Sequence, residues 1–229
     1  MVDPKNLPMD LVELTPEIIL RAYSIGIFPM AKSRYEKEIF WVDPEERGII
    51  PLDGLHISRS LKKKLRNNEF KIDYNTDFKG VIMRCAEQTK SRDETWINEE
   101  IIKLYSQLFE RGFVQTVECR VNEELVGGLY GISLKGAFFG ESMFSRKTDA
   151  SKIALIHLVA RLNEGGFTLL DTQFTTEHLI SLGAIKISRS SYLEQLNNAL
   201  LVDATFNSQG SGLSHQALLE KLADNQSRR

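Results

Sequence analysis

The middle of the chain constrains the fold most, because its side chains alternate with the two-residue period of a β-strand and two turn signals interrupt it. Apolar and polar residues alternate over 117–121, a pattern typical of a half-buried strand. The Asn-Glu-Glu stretch at 122–124 predicts a turn into a second strand over 125–133. Leu-Lys-Gly at 134–136 predicts another turn into a third strand over 137–143. We therefore expect a meander of three antiparallel strands.

Helical patterns flank this meander on both sides. The stretch 10–23 has apolar positions at helical spacing, and within it Thr15, Pro16 and Glu17 supply an N-cap, a first-turn proline and an early acidic residue. We therefore expect a helix that runs to about Tyr23. The other elements that the sequence predicts are a short basic helix from Ser58, a strand over 70–73, helices over 77–88, 98–111, 149–164 and 176–181, a strand over 167–171, and a last strand and helix that end near 201. This order predicts an α+β fold with a mixed, largely antiparallel sheet of the acyltransferase type.

The segment 39–51 has the pattern of short strands and turns that join a small N-terminal unit to the rest of the chain. We place the boundary near residue 46. This boundary gives a small N-terminal domain over 1–46 and a larger domain over 47–229. Within the larger domain, 203–229 is expected to form a peripheral tail.

Composition narrows the class of protein. The 229 residues are 42% hydrophobic and 26% charged, as is usual for a folded globular chain, and their net charge is −2. Because the net charge is slightly negative, any binding of nucleic acid must come from a local basic patch. No stretch has the length and apolarity of a membrane span, and the start of the chain lacks the pattern of a signal peptide. We therefore expect a cytoplasmic protein without membrane contact.

The cysteines and histidines do not have the spacing of a disulfide scaffold or of a metal site. Cys85 and Cys119 are too few and too far apart for a disulfide scaffold or a zinc cluster, so we expect both to be buried thiols. The four histidines lack the spacing of metal ligands, and no cluster of Asp and Glu completes such a site. The sequence therefore predicts no metal.

A dense group of cations provides the local basic patch. Five of them fall within eight residues: Arg59, Lys62, Lys63, Lys64 and Arg66. On a helix, all of these except Lys64 share one face, while Leu61 and Leu65 occupy the other. That basic face suits a phosphate backbone. A run of charges is also the usual composition of a solvated surface, so both interpretations stay open at this point.

Two polar residues lie at the end of the predicted strand over 167–171. Asp171 and Gln173 are two positions apart, so their side chains point to the same side if the strand continues. They could then act together on one substrate group. The alternative is that Asp171 caps the helix that begins near Thr176.

Glu141 is the second unusual residue, because it lies within a strand that is otherwise apolar and aromatic. A carboxylate in such a place needs a partner or water. A substrate amine would be one such partner. The alternative is an internal ion pair with Arg146 or Lys152.

Eight short motifs follow one another in the order and approximate spacing of a known family. They are Gly26-Ile-Phe-Pro, His56-Ile-Ser-Arg-Ser, Thr95-Trp-Ile, Leu125-Val-Gly-Gly-Leu-Tyr-Gly, Phe138-Phe-Gly-Glu-Ser-Met-Phe-Ser, Asp149-Ala-Ser-Lys, Asp171-Thr-Gln and Ser181-Leu-Gly-Ala. The motif that begins at Phe138 is the most specific of them. Over about residues 10–200, the chain therefore resembles the leucyl/phenylalanyl-tRNA–protein transferase family.

The resemblance implies a small N-terminal domain joined to a domain of the GNAT acyltransferase fold. It implies that the protein transfers Leu, Phe or Met from a charged tRNA to proteins that begin with Arg or Lys, which marks those proteins for degradation. No cofactor is implied, and we expect a monomer. The family's proposed mechanism uses the pair Asp171 and Gln173. Because a carboxamide is too weak a base to take a proton alone, we expect Gln173 to orient the attacking amine while Asp171 polarises it or relays charge. Glu141 binds the amine or the basic side chain of the acceptor.

The resemblance also implies two binding surfaces. The first is contact with the acceptor stem of tRNA by Arg59, Lys63 and Arg66. The second is an apolar pocket for the donor side chain, formed by Met30, Trp96, Leu129, Phe138, Leu158, Leu162 and Leu170. Met30 stands where a Trp is usual in the family, and Leu158 and Leu162 replace aromatic residues. Taken one at a time, each pocket residue also fits an ordinary core position.

Three other functions are alternatives to this transferase activity. An acetyl-CoA-dependent enzyme would need a glycine-rich turn around the pyrophosphate, and the connection over 145–151 contains no glycine. A related transferase could act on acidic N-termini or on cell-wall peptides. A tRNA-binding module without catalysis would need the basic face but none of Glu141, Asp171 and Gln173.

Overall fold

The computed structural model describes residues 14–88, 94–206 and 218. Near the start of this part, a helix and a hairpin pack into one hydrophobic cluster with the main sheet. Helix α1 (Pro16–Ser24) begins at the N-cap Thr15, whose side-chain oxygen accepts a hydrogen bond from the backbone N–H of Ile18. Strands β1 (Phe28–Ala31) and β2 (Ile39–Val42) form an antiparallel pair of their own.

A seven-stranded sheet forms the centre of the protein. Its strands are β3 (Glu46–Ile49), β4 (Lys71–Tyr74), β5 (Val114–Val121), β6 (Glu124–Leu134), β7 (Ala137–Ser145), β8 (Leu169–Gln173) and β9 (Ile185–Ser188). In space they follow the order β4-β5-β6-β7-β8-β3-β9. Neighbouring strands are antiparallel except for β7 and β8, which run parallel. The predicted α+β fold with a mixed, largely antiparallel sheet is confirmed.

Helices cover both faces of this sheet. They are α2 (Arg59–Arg66), α3 (Phe78–Cys85), α4 (Glu99–Glu110), α5 (Ala150–Glu164), α6 (Glu177–Ile180) and α7 (Arg189–Ala199). Consecutive residues of a strand face opposite sides, so Phe139 packs with α1, α3, α4 and α7, whereas Phe138 packs with α2 and α5. Helix α5 is the crossover that a parallel connection from β7 to β8 requires.

The predicted meander is present as β5, β6 and β7. Its turns place Asn122, Glu123 and Lys135 at positive φ angles of 49°, 63° and 54°. The predicted strand over 167–171 lies two residues further along, as β8. It lies there because β8 also pairs with β3, in a register that sets Gly48 opposite Gln173. Gln173 is therefore part of the strand.

Two other predicted regions meet the main sheet. Strand β3 begins at Glu46, the expected domain boundary, and lies between β8 and β9. The expected tail is described only at 203–206 and at Leu218. Phe206 stacks on Phe138 with ring centroids 6.1 Å apart, and Leu218 is buried in the same cluster.

The described part of the chain contains neither a membrane-spanning helix nor a candidate metal cluster. No helix in 14–88 or 94–206 is long and apolar enough to cross a bilayer, and no group of three His, Cys, Asp or Glu side chains there could hold a metal ion. Cys85 and Cys119 are free and buried, as predicted. Burial raises the pKa of the Cys119 thiol well above its ordinary value.

Two glycines of the central strands give a test of this packing. A Cβ at Gly127 in β6 would lie 2.4 Å from the Cβ of Ala150, at the start of α5, whereas a Cβ at Gly140 in β7 would lie no closer than 3.4 Å to any heavy atom. We therefore expect Gly127→Ala to lower the free energy of unfolding by about 1–3 kcal/mol, because the helix must move away from the sheet. The matched control Gly140→Ala should stay within about 1 kcal/mol of wild type. Chemical denaturation measures both, and equal losses would contradict the packing of α5 on β6.

Candidate active site

A cavity of about 220 Å³ opens where the parallel strands β7 and β8 separate. The two strands pair over 137–139 and 169–171, and their pairing then ends. The apolar walls of the cavity are formed by Leu129, Met143, Leu155, Leu158, Leu170 and Leu179. Polar residues also line it: Glu141, Ser142, Thr172, Thr176 and His178. A mostly apolar cavity with a few polar groups is the usual form of a small-molecule site.

Glu141 reaches this cavity because β7 contains a β-bulge. Tyr130 of β6 lies opposite Ser142, and Gly131 lies opposite Gly140, so Glu141 is the extra residue between them. A bulge bends its strand and changes the direction of the extra side chain. The hydroxyl of Tyr23 donates a hydrogen bond to Glu141 Oε1 (2.6 Å).

Two more donors hold the same carboxylate. The hydroxyl of Tyr105 donates to Glu141 Oε2 (3.1 Å), and Gln173 Nε2 donates to Oε1 (3.2 Å). The alternative ion pairs of Glu141 are wrong, because Arg146 pairs with Glu87 and Lys152 pairs with Asp149.

The environment of Glu141 favours its neutral form more than water does. Burial raises the pKa of Glu141 from its ordinary value to about 7, although the hydrogen bonds from Tyr23 and Tyr105 work in the opposite direction. The negative charge of Asp171 raises the pKa further, and Arg47 lowers it. Near neutral pH, the carboxylate and the carboxylic acid are therefore both populated.

Asp171 lies in a very different environment. It is fully buried, and both of its oxygens accept hydrogen bonds. Arg47 Nη2 donates to Oδ2 (2.6 Å) and Arg47 Nε to Oδ1 (2.9 Å), while the Tyr192 hydroxyl donates to Oδ2 (2.7 Å). The backbone N–H of Gln173 donates to Oδ1 (2.7 Å). Asp171 is thus an enclosed ion-pair partner and does not line the cavity.

Arg47 is the cation that compensates this buried charge. Its side chain is only 1% exposed, and its guanidinium lies between the rings of Phe28 and Tyr192, 4.6 Å and 4.4 Å from their centroids. Arg47 Nη1 also donates to the carbonyl of Gly26 (2.8 Å), next to α1. Burial opposes its charge, but Asp171 outweighs this effect and raises the pKa of Arg47.

Gln173 connects the two carboxylates. Its backbone has a φ angle of 57°, which a residue with a side chain rarely adopts, and Thr172 is the extra residue of a bulge against β3. The two-residue spacing predicts that Asp171 and Gln173 share one face of a regular strand. In the structure they do not, because the bulge and the unusual φ angle interrupt the regular strand between them. Asp171 instead holds the Gln173 backbone, and the Gln173 amide reaches Glu141. The alternative cap is wrong, because Thr176 caps α6 with its own side chain.

The seven predicted pocket residues differ in whether they line the cavity. Leu129, Leu158 and Leu170 line the cavity. Four others lie outside its lining: Met30, Trp96, Phe138 and Leu162. Phe138 and Leu162 are fully buried in the core beside α5, where Phe167 and Phe206 pack against Phe138. Met30 and Trp96 are partly buried against the core on the opposite face.

The basic helix α2 has the predicted two faces. Leu61 and Leu65 are buried, and Ser58 caps the helix by accepting a hydrogen bond from the N–H of Leu61. Lys64 forms an ion pair with Asp149 (3.1 Å), so the charge of Asp149 compensates the charge of Lys64. The remaining cations of the cluster make no ion pair with a residue of the described part of the chain: Arg59, Lys62, Lys63 and Arg66.

Four residues of the site have no signal in the sequence pattern. They are Tyr23, Arg47, Tyr105 and Tyr192, which hold Glu141 and Asp171. Each lies in a segment predicted only as a helix or a connection. A buried Arg requires an acidic partner, but the sequence does not show that Arg47 is buried.

Comparisons with known proteins match most of the chain to one family. Residues 49–197 match the family model for leucyl/phenylalanyl-tRNA protein transferase, and residues 12–45 match the model for the N-terminal domain of that family. A leucyl/phenylalanyl-tRNA–protein transferase of Rhodospirillum rubrum is 54% identical over 196 residues, which is 86% of this chain and 92% of that protein. One from Paramagnetospirillum magneticum is 56% identical over 193 residues, 84% of this chain and 92% of that protein.

One solved structure is a more distant match. "The structure of L-PGS from Bacillus licheniformis" aligns with 72% of this chain and 55% of that chain, at 15% identity and a TM-score of 0.37. This TM-score is too low to assign a fold. The family models and the close relatives together cover most of the chain, including Glu141, Asp171 and Gln173. The chain therefore belongs to the leucyl/phenylalanyl-tRNA–protein transferase family and is an aminoacyltransferase.

Proposed function

We propose that this protein transfers Leu, Phe or Met from a charged tRNA to the N-terminal amine of proteins that begin with Arg or Lys, which marks them for degradation. The observation that carries the proposal is the apolar cavity with Glu141 at its polar end, where Gln173 donates a hydrogen bond to Glu141. The names of the relatives support Leu and Phe as donors, and the exposed basic helix supports the binding of tRNA.

The cavity supports an uncharged donor side chain of medium size. Its volume of about 220 Å³ and its six apolar lining residues suit Leu, Met or Phe. A charged side chain there would lose its hydration without gaining a partner among Leu129, Leu158 and Leu170. The donor preference therefore follows from the cost of burying polar groups.

The reaction requires little from the protein beyond alignment. The donor is an ester, and the attacking α-amine has an ordinary pKa of about 7.7–8.0, so part of it is neutral near pH 7. Holding the two groups in attack geometry can supply roughly 7–11 kcal/mol of the barrier. Glu141, which lines the cavity as a carboxylate, is the group that attracts a basic acceptor.

We also propose a fold type and a division into two domains. The seven-stranded sheet, with its one parallel pair β7–β8 joined by α5, supports a GNAT-like acyltransferase domain over 47–229. The family model that matches residues 12–45 supports a small N-terminal domain, although its helix and hairpin share one hydrophobic cluster with the main sheet. We assign the assembly as a monomer in the cytoplasm.

A transfer assay tests the function directly. The enzyme is supplied with a mixture of charged tRNAs and with peptides that begin with Arg, Lys, Asp or Glu, and mass spectrometry identifies the products. We expect Leu, Phe or Met on the Arg and Lys peptides. Gln173→Ala should slow transfer at least about tenfold while the affinity for tRNA stays near wild type, because Gln173 holds Glu141 and is proposed to orient the attacking amine.

Other outcomes of this assay contradict particular parts of the proposal. Products on the Asp and Glu peptides would contradict the acceptor assignment. Normal tRNA affinity without any product would instead indicate a tRNA-binding module.

The basic helix gives a second test. In the proposed complex, Arg59, Lys63 and Arg66 contact phosphates of the acceptor stem. Lys63→Ala should weaken tRNA binding and reduce the slope of log affinity against log salt by somewhat less than one unit, because fewer counterions are released. Lys64→Ala is the matched control, since Lys64 is already paired with Asp149. Filter binding at several salt concentrations measures the slopes, and equal changes in both variants would contradict this assignment.

A further inference from the structure

The site contains two carboxylates, but only one of them is open to a substrate. Glu141 lines the cavity, whereas Asp171 has no exposed surface. Arg47, Tyr192 and the Gln173 backbone already donate to both oxygens of Asp171. A substrate amine could reach Asp171 only by displacing one of these donors, and Arg47 would then lose its partner in the core.

We propose that the Glu141 carboxylate, and not Asp171, accepts the proton that the attacking amine loses during transfer. This inference rests on the aminoacyl transfer proposed above. It assigns Asp171 as a positioning residue, because Asp171 holds the backbone of Gln173 in its unusual conformation. Gln173 in turn donates to Glu141 Oε1 and keeps an amide oxygen that can accept a hydrogen from the amine.

The proton balance of the step is complete without another reactant. The neutral amine attacks the ester carbonyl carbon, a C–N bond forms, and one amine proton passes to Glu141. The C–O bond to the ribose then breaks, and the departing ribose oxygen takes the proton from Glu141. The products are an amide and a free hydroxyl, and Glu141 returns to its starting state.

The surroundings of Glu141 suit a group that both takes and returns a proton. Tyr23 and Tyr105 donate to it, Arg47 and Asp171 act on it through space, and Tyr130 and His178 line the same cavity. Burial raises the pKa of Glu141 to about 7, near the value at which a general base works best at neutral pH. Each tyrosine stays protonated, because burial raises the pKa of Tyr23 and Tyr105 well above 10.

The test is the pH dependence of kcat with an acceptor that stays neutral. A peptide with an N-terminal aminooxy group is suitable, because its nucleophile is neutral well below the pH at which an α-amine is protonated. Wild-type kcat/KM should fall as the pH drops through about 7, the pKa of Glu141 in the free enzyme, and kcat should fall as the pH drops through the pKa of Glu141 in the substrate complex. Glu141→Gln should lower kcat about 10²–10⁴-fold and remove this pH dependence, while its amide still accepts the bond from Gln173.

Three controls separate this role from others. Glu124→Gln makes the same change at an exposed residue outside the cavity lining and should keep the wild-type pH profile. Asp171→Asn should lower kcat but retain the pH dependence. If Asp171→Asn does not fold, Tyr192→Phe serves the same purpose, because it removes only one hydrogen bond to Asp171. Thermal unfolding identifies the folded variants.

Two results would overturn the inference. One is wild-type kcat in Glu141→Gln with a raised KM for the acceptor, which would make Glu141 a binding residue only. The other is a pH dependence that persists in Glu141→Gln and is lost in Asp171→Asn. If the wild-type enzyme transfers nothing from any charged tRNA, the proposed function fails, whatever the role of Glu141.

Discussion

The buried ion pair between Arg47 and Asp171 is the interaction on which the site depends. It joins β3 to β8, and the Gly26 carbonyl and the Tyr192 hydroxyl tie it to the end of α1 and to α7. Removing one member of such a pair typically costs about 3–5 kcal/mol, because the other charge stays behind without compensation. The pair therefore fixes the end of β8, and with it the backbone of Gln173.

The cavity forms because strands β7 and β8 are irregular next to the Arg47–Asp171 pair. Strands β7 and β8 are parallel neighbours, and each has one extra residue just beyond their last paired positions, Glu141 in β7 and Thr172 in β8. The strands part there, and the cavity lies between them. Regular pairing would have continued the sheet and closed this space. The reactive groups consequently stand at the polar end of an apolar cavity, which suits an amino acid ester and an attacking amine.

Local patterns in the sequence predict much of this architecture. The meander follows from alternation and turn residues, and the basic face of α2 follows from helical spacing. The bulge at Glu141 could not be predicted, because it depends on the register between two strands. Nor could the role of Arg47, whose partner is 124 positions away in the chain. Phe138 fits a core and a pocket equally well by pattern, and only the packing of the sheet places it in the core.

The central claim is that the two carboxylates of the site differ in state, with Asp171 held in an ion pair and Glu141 free to change its charge. An infrared titration tests it most directly, because a protonated carboxyl group has its own C=O stretching band. The account predicts a band that grows as the pH falls through about 7, the pKa of Glu141, in wild type, and that is absent near this pH from Glu141→Gln. In Asp171→Asn the band should remain but grow at a lower pH, because the negative charge of Asp171 no longer raises the pKa of Glu141. A band that persists in Glu141→Gln and disappears in Asp171→Asn would contradict it.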